Sequence, residues 1–209
     1  MHTQPAIASH QRRVLRWLRR EALPLLVLIL LLTAARSSLA NHYHVPSGSM
    51  QPALQPGDRV VVDMRAYGWR LPFTTRDLVT VADPGPGEVV VFDSPVDGTR
   101  LIKRVAAVGG QRVEVRDGRL LVDGQRPPMH GRPAVEQLGS RRITLDLAQG
   151  SGADFGPLRV PDGEVLVLGD HRGASFDGRY FGLVPVDAFY GRAIAVYHRR
   201  GDGFGWRRL

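Results

Sequence analysis

The stretch Val113-Glu114-Val115-Arg116-Asp117-Gly118-Arg119-Leu120-Leu121-Val122 decides the fold class. Asp-Gly suits the two central positions of a tight turn with positive φ, and the flanking residues alternate apolar and polar with the period of a half-buried strand. The segment therefore predicts a β-hairpin with strands over 112–116 and 119–122. Outward from it, short β-branched runs bounded by Gly, Pro and Asp predict further strands at 60–63, 88–92, 101–108, 143–147, 164–168 and 193–197. No helical period of comparable length occurs after residue 44. The expected fold is mostly β, an antiparallel domain with curled or barrel-like sheets, carrying one amino-terminal transmembrane helix. Residues 127–158 are richer in Gly, Pro and Arg, and are expected to form an insertion or small subdomain.

The amino terminus has a different character. Residues 11–20 hold five arginines, and an apolar stretch runs from Ala22 to Ala35 before Arg36 interrupts it. Fourteen residues at ~1.5 Å each reach ~21 Å, the length of a signal-peptide apolar region and short of the ~30 Å hydrocarbon core. If Arg36 snorkels and the helix continues through Ala40, Trp17 and Tyr43 fall ~39 Å apart, near the headgroup spacing. A retained anchor is the favoured reading, with 1–20 as a basic cytoplasmic segment, 21–40 as the anchor in the lipid bilayer and 41–209 outside. A cleaved signal ending at Ala40 is the alternative.

The net charge of +8 is unevenly placed: residues 1–40 carry six arginines and one acid, and the remaining residues 22 bases and 19 acids. The body has no basic run interleaved with aromatics, so no nucleic-acid surface is expected. Zero cysteines exclude a disulfide framework, a thiolate nucleophile and a zinc-thiolate site. Of the 28 basic side chains only Lys103 is a lysine. Arginine stays charged at any workable pH, whereas a lysine among Leu101, Ile102 and Val105 can be desolvated, lose its proton and act as a base.

Four blocks come in a telling order: Pro46-Ser-Gly-Ser-Met50, Gly87-Glu-Val-Val-Val-Phe92, Leu101-Ile-Lys-Arg-Val105 and Gly169-Asp-His-Arg-Gly-Ala-Ser-Phe-Asp-Gly-Arg-Tyr-Phe-Gly182. In this the chain resembles the type I signal peptidases. The resemblance implies a membrane-bound Ser/Lys endopeptidase of the bacterial cytoplasmic membrane that removes signal peptides from exported preproteins and needs no cofactor or metal. It implies Ser49 as nucleophile, Lys103 as general base, Ser47 with the Ser49 N–H as oxyanion donors, and Ser175 as the hydroxyl that aims the lysine. Asp177 and Arg179 match a bracing pair. Tyr43, Val45, Pro46, Leu54, Leu101 and Ile102 match positions lining shallow pockets for small residues. His171, Gly173 and Gly178 depart from the family pattern, where asparagine, aspartate and serine are usual.

Other readings stand beside this one. His42, His44, His171 and Asp170 invite a metal or Ser/His/Asp site, on weak spacing. A conjugative-transfer peptidase of the same class would process pilus proteins instead. A self-cleaving repressor would need a DNA-binding helix-turn-helix where the apolar stretch stands. An inactive membrane-tethered scaffold need not retain Ser47, Ser49, Lys103 and Ser175 together.

Overall fold

The computed structural model describes residues 17–70, 77–80, 82–130 and 134–209. The arginines at 12, 13 and 16 and part of the expected insertion, 131–133, lie outside them. A short π-helical turn, Leu18–Ala22, leads into an α-helix, Leu23–Leu39. Among the described residues no helix is long and apolar enough to cross a membrane. The helix shows no apolar stripe: Leu23, Leu25, Leu26, Leu28, Ile29 and Leu30 are all half-exposed.

Sixteen strands are described after it: β1 (Ala40–His44), β2 (Arg59–Asp63), β3 (Gly68–Arg70), β4 (Asp77–Thr80), β5 (Val89–Asp93), β6 (Arg100–Val108), β7 (Arg112–Arg116) and β8 (Arg119–Val122), then β9 (Met129–His130), β10 (Val135–Leu138), β11 (Arg141–Thr144), β12 (Phe155–Arg159), β13 (Glu164–Leu168), β14 (Val184–Pro185), β15 (Phe189–Arg199) and β16 (Gly203–Arg208). All strand pairings are antiparallel, and the main sheet runs β1-β2-β15-β5-β6-β13-β14, with β16 folded back on β15. The expected mostly-β antiparallel fold is observed. The 113–122 hairpin forms as read: Arg116 faces Arg119, and Asp117 and Gly118 take φ of 51° and 69°. A third strand, β12, joins it against β7.

Three elements differ from the sequence reading. The helix stops at Leu39 and the next five residues pair with β2, so Tyr43 is a sheet residue. Alternate side chains of β1 turn toward the core there, which a helix through Tyr43 could not achieve. The strand expected at 193–197 is 11 residues long. It passes close under β2 at Gly191, where a Cβ would come 2.4 Å from the Asp63 carbonyl oxygen. The expected strand at 143–147 ends at Thr144, because Asp146 N–H donates to the Asp170 carbonyl and Arg172 N–H to the Asp146 carbonyl, carrying the chain toward the site.

Three apolar clusters form the core. Val45, Met50, Leu54, Val60, Val62, Val89, Val91, Ala193 and Val196 cover one face of the main sheet. Val90, Phe92, Val105, Val165, Val167 and Phe189 cover the other. The third joins the hairpin (Val113, Val115, Leu120) to Leu138, Ile143 and Leu145 of the 127–158 segment and to Ala107, Leu166 and Leu168 of the main sheet. The β9-β10-β11 sheet thus shares its core with the body.

Candidate active site

Ser49 sits on the loop between β1 and β2, and that loop is pinned at both sides. Val45 exchanges backbone bonds with Asp58 and Gly57, Gln51 N–H closes a turn on the Gly48 carbonyl, and Met50 and Leu54 are wholly buried. Asp58, itself buried, takes Gln55 N–H and an ion pair from Arg199 of β15 at 2.7 Å. From across the site, His171 N–H donates to the Ser49 carbonyl at 3.1 Å.

Lys103 comes from the middle of β6, opposite Val90 of β5. Period two places Leu101 and Val105 on its face and Arg104 on the other. Its ammonium Nζ donates to Ser49 Oγ at 2.6 Å, and the residue is only 3% exposed. Burial lowers the Lys103 pKa to about 8; the carboxylates of Asp177 and Asp170 oppose the shift and Arg179 adds to it. The desolvation penalty on the charged amine wins, so roughly a tenth of the amine is neutral at pH 7, against well under a hundredth for an ordinary lysine. Ser47 Oγ lies 3.4 Å from Ser49 Oγ.

The segment after β13 closes the site from the other side. Asp177 and Arg179 form a fully buried pair. Asp177 Oδ2 accepts Gly169 N–H, while Arg179 donates to the Ser151 and Arg172 carbonyls. Ser175 is buried with no hydrogen-bond partner on its hydroxyl among the described residues, so its expected bond to the Lys103 amine is not formed in this structure. It lies close by nonetheless: a Cβ on Gly169 would come 2.2 Å from Ser175 Oγ and 2.5 Å from the Ser49 carbonyl oxygen. Only glycine at 169 lets these two segments meet.

At two of the three positions that depart from the expected pattern, Gly173 and Gly178, the packing leaves no room for a side chain. A Cβ at Gly173 would meet the Gln149 carbonyl at 2.2 Å, and one at Gly178 would meet Leu166 Cδ1 at 2.7 Å. Neighbouring chain occupies the space that larger residues would need. The His171 ring is buried, with Nε2 3.9 Å from Asp146 Oδ2 and both nitrogens without a hydrogen-bond partner among the described residues. His42 and His44 point outward from β1, and no group of three or more metal-ligating side chains occurs among the described residues.

The six residues expected to line pockets separate. Val45 and Leu54 are closed into the core. Tyr43 and Ile102 pack partly on that same cluster, Leu101 on the opposite one, and Pro46 is exposed. Sequence reasoning missed two buried ion pairs. Arg104 grips Asp170 through two bonds of 2.8 and 2.6 Å and donates to the Gly87 carbonyl. Arg172 joins Glu136 at 2.7 Å and donates to the Gly118 and Gly169 carbonyls. The first carried a signal: a charge inside an apolar strand run requires a partner when buried.

The signal peptidase, peptidase S26 family model matches residues 17–198. The chain belongs to this family. Signal peptidase I of Pseudomonas fluorescens is 33% identical over 199 residues, covering 83% of this chain and 69% of that protein. Probable signal peptidase I-2 of Synechocystis sp. is 31% identical over 176 residues, covering 81% and 68%. Thylakoidal processing peptidase 1 of Arabidopsis thaliana is 32% identical over 166 residues, covering 78% of this chain and 43% of that one. A solved signal peptidase I from Enterococcus faecalis is 27% identical, with a TM-score of 0.37 over 54% of this chain and 98% of that one. In this chain the one lysine, Lys103, donates to Ser49, the second serine of the Pro46–Met50 block.

Proposed function

We propose that the chain is a membrane-anchored serine endopeptidase that removes amino-terminal signal peptides from exported preproteins, with Ser49 as nucleophile and Lys103 as general base. The contact of Lys103 Nζ with Ser49 Oγ at 2.6 Å in a buried site carries the reading. A serine hydroxyl is a weak nucleophile until a base takes its proton, and a desolvated amine can do so. The neutral amine accepts the Ser49 proton as Oγ attacks the scissile carbonyl. The Ser49 N–H and the Ser47 hydroxyl hold the developing oxyanion. The ammonium then protonates the departing amine of the mature chain, and the restored base activates water to break the acyl-enzyme. Ser175, with its hydroxyl uncommitted, is available to hold the amine once the Ser49 contact has been given up.

The substrate is accommodated by the sheet. Residues 100–103 of β6 pair with β5 on one side, whereas β13 pairs with β6 only from Arg104 onward. The remaining edge of 100–103 can receive an extended peptide by strand addition, which delivers it beside Ser49. Tyr43, Pro46, Leu101 and Ile102 border this edge in the assignment, selecting small side chains before the cut.

Residues 21–40 are assigned as the anchor, with the arginine-rich flank in the cytoplasm and 41–209 outside. Support comes from the apolar side chains exposed around the Leu23–Leu39 helix, which need lipid to cover them. Incubation of the purified protein in detergent with a preprotein bearing an Ala-x-Ala site tests the function. One cut after the second alanine is expected from the parent and none from Ser49→Ala; equal cutting by both would overturn the nucleophile assignment. Intact mass of membrane-extracted protein tests the anchor, and a start at Asn41 would overturn it.

A further inference from the structure

A cleft of about 890 Å³ opens between Pro52 and Ala53 of the Ser49 loop, strand β11 with the residues just after it, and the β15-β16 hairpin. Neither Ser49 nor Lys103 lines it. Six arginines do: Arg104, Arg141, Arg142, Arg199, Arg207 and Arg208. Three are neutralised within the fold, Arg104 by Asp170, Arg199 by Asp58 and Arg207 by Asp202. Arg141 lies 3.6 Å from a Glu88 oxygen that Arg192 already holds at 2.6 Å. Arg142 and Arg208 make no ion pair among the described residues. The one acid in the wall, Asp146, turns Oδ1 to Ala148 N–H and its other oxygen toward His171.

Arginines without an ion pair among the described residues occur elsewhere too, at Arg59, Arg112, Arg119, Arg126, Arg159 and Arg200, and what sets the cleft apart is that its unpaired arginines line a concavity. Arg172 and Arg179 are buried against a dedicated carboxylate each. In the cleft, Arg142 and Arg208 line a shared concave space without one, and Arg141 Nη1 donates to the Leu209 carbonyl oxygen in the same wall. Like charges held together in a concavity raise its potential and favour an anion of more than unit charge. A carboxylate offers one charge; a phosphate offers up to about two, with three acceptor oxygens that match guanidinium forks. Pro52, Ala53 and Thr144 complete the wall, while Ile143, Leu145 and Val196 behind it are closed into the core.

We propose that this cleft binds a phosphate-bearing ligand, with Arg142 and Arg208 gripping the phosphate oxygens. The ligand chemistry is common to a phospholipid headgroup and a soluble phosphate ester. The site is separate from the peptidase chemistry, so a failure of the Ser49 assignment leaves it standing.

Calorimetric titration of the full-length protein in nonionic detergent at fixed ionic strength tests it, with inorganic pyrophosphate, dihexanoyl phosphatidylglycerol and triglutamate as probes. Saturable one-to-one binding of pyrophosphate or the phosphatidylglycerol is expected, weakened about tenfold or more in R142Q/R208Q, the equivalent of ~1.4 kcal/mol. R142K/R208K, which keeps the charge and loses the forks, is expected to weaken binding less, and it serves as the test should the glutamine pair fail to fold. Tighter binding of the phosphatidylglycerol assigns a lipid headgroup; tighter binding of pyrophosphate assigns a soluble ester. No saturable binding of either, affinity unchanged in both variants, or triglutamate binding as tightly as the phosphates would overturn the proposal.

Discussion

Lys103 is the residue on which the chemistry turns, and its environment makes a pH prediction. A base works only when neutral, and burial sets the pKa at about 8. Below that value the amine is protonated and the rate falls; the neutral fraction, and so kcat/KM, rises through pH 8 and levels above it. A kcat/KM profile on a short Ala-x-Ala peptide is expected to show this rising limb. A limb near pH 6.5 would point instead to a histidine. Ser47→Ala is expected to lower kcat by ~100-fold to 1,000-fold with little change in KM, since an oxyanion donor acts in the transition state. Lys103 stood out in the sequence as the one lysine, whereas Ser47 and Ser49 were singled out by the family resemblance of the Pro46–Met50 block. The uncommitted hydroxyl of Ser175 was not legible, because whether a buried group finds its partner depends on packing between segments distant in sequence.

At the scale of elements, the Arg104–Asp170 pair locks strand β6 to the loop that carries Ser175. Both side chains are nearly inaccessible, so removing one partner leaves an unpaired buried charge. Asp170→Ala is expected to cost about 3–5 kcal/mol, a fall in Tm of roughly 10 °C for a domain of this size, read by thermal melting. A change under about 2 °C would mean that water reaches Arg104. The hairpin at 113–122 could be read because its signal is local, an Asp-Gly turn between alternating strands. Strand β16, Gly203-Phe-Gly-Trp-Arg-Arg208, could not. Its glycines and arginines favour no strand, and it exists through pairing with β15. The same holds for the β9-β10-β11 sheet, whose proline- and arginine-rich segment takes shape only against the shared core of Leu138, Ile143 and Leu145 with Val113 and Leu166.

Over the whole molecule, the buried residues of all three core clusters begin at Val45, and the helix at 23–39 contributes none. Deleting residues 1–39 is therefore expected to leave the β domain folded, with Tm within ~3 °C of the parent; loss of the cooperative melt would show that the helix is part of the fold. The composition separated these two regions, because five of the eight net charges lie in the first 40 residues. It could not give the sheet order, which depends on pairings such as β15 with β2 and β5 between segments far apart in the sequence. The structure joins these scales at one contact, the lysine of a central strand against the serine of a loop pinned to the core. The most direct test of that contact is the single-turnover rate of preprotein cleavage by Lys103→Arg, which keeps a cation in place but cannot supply a neutral base. Loss of at least roughly 10,000-fold is expected, and a rate within about tenfold of the parent would contradict the Ser49–Lys103 mechanism.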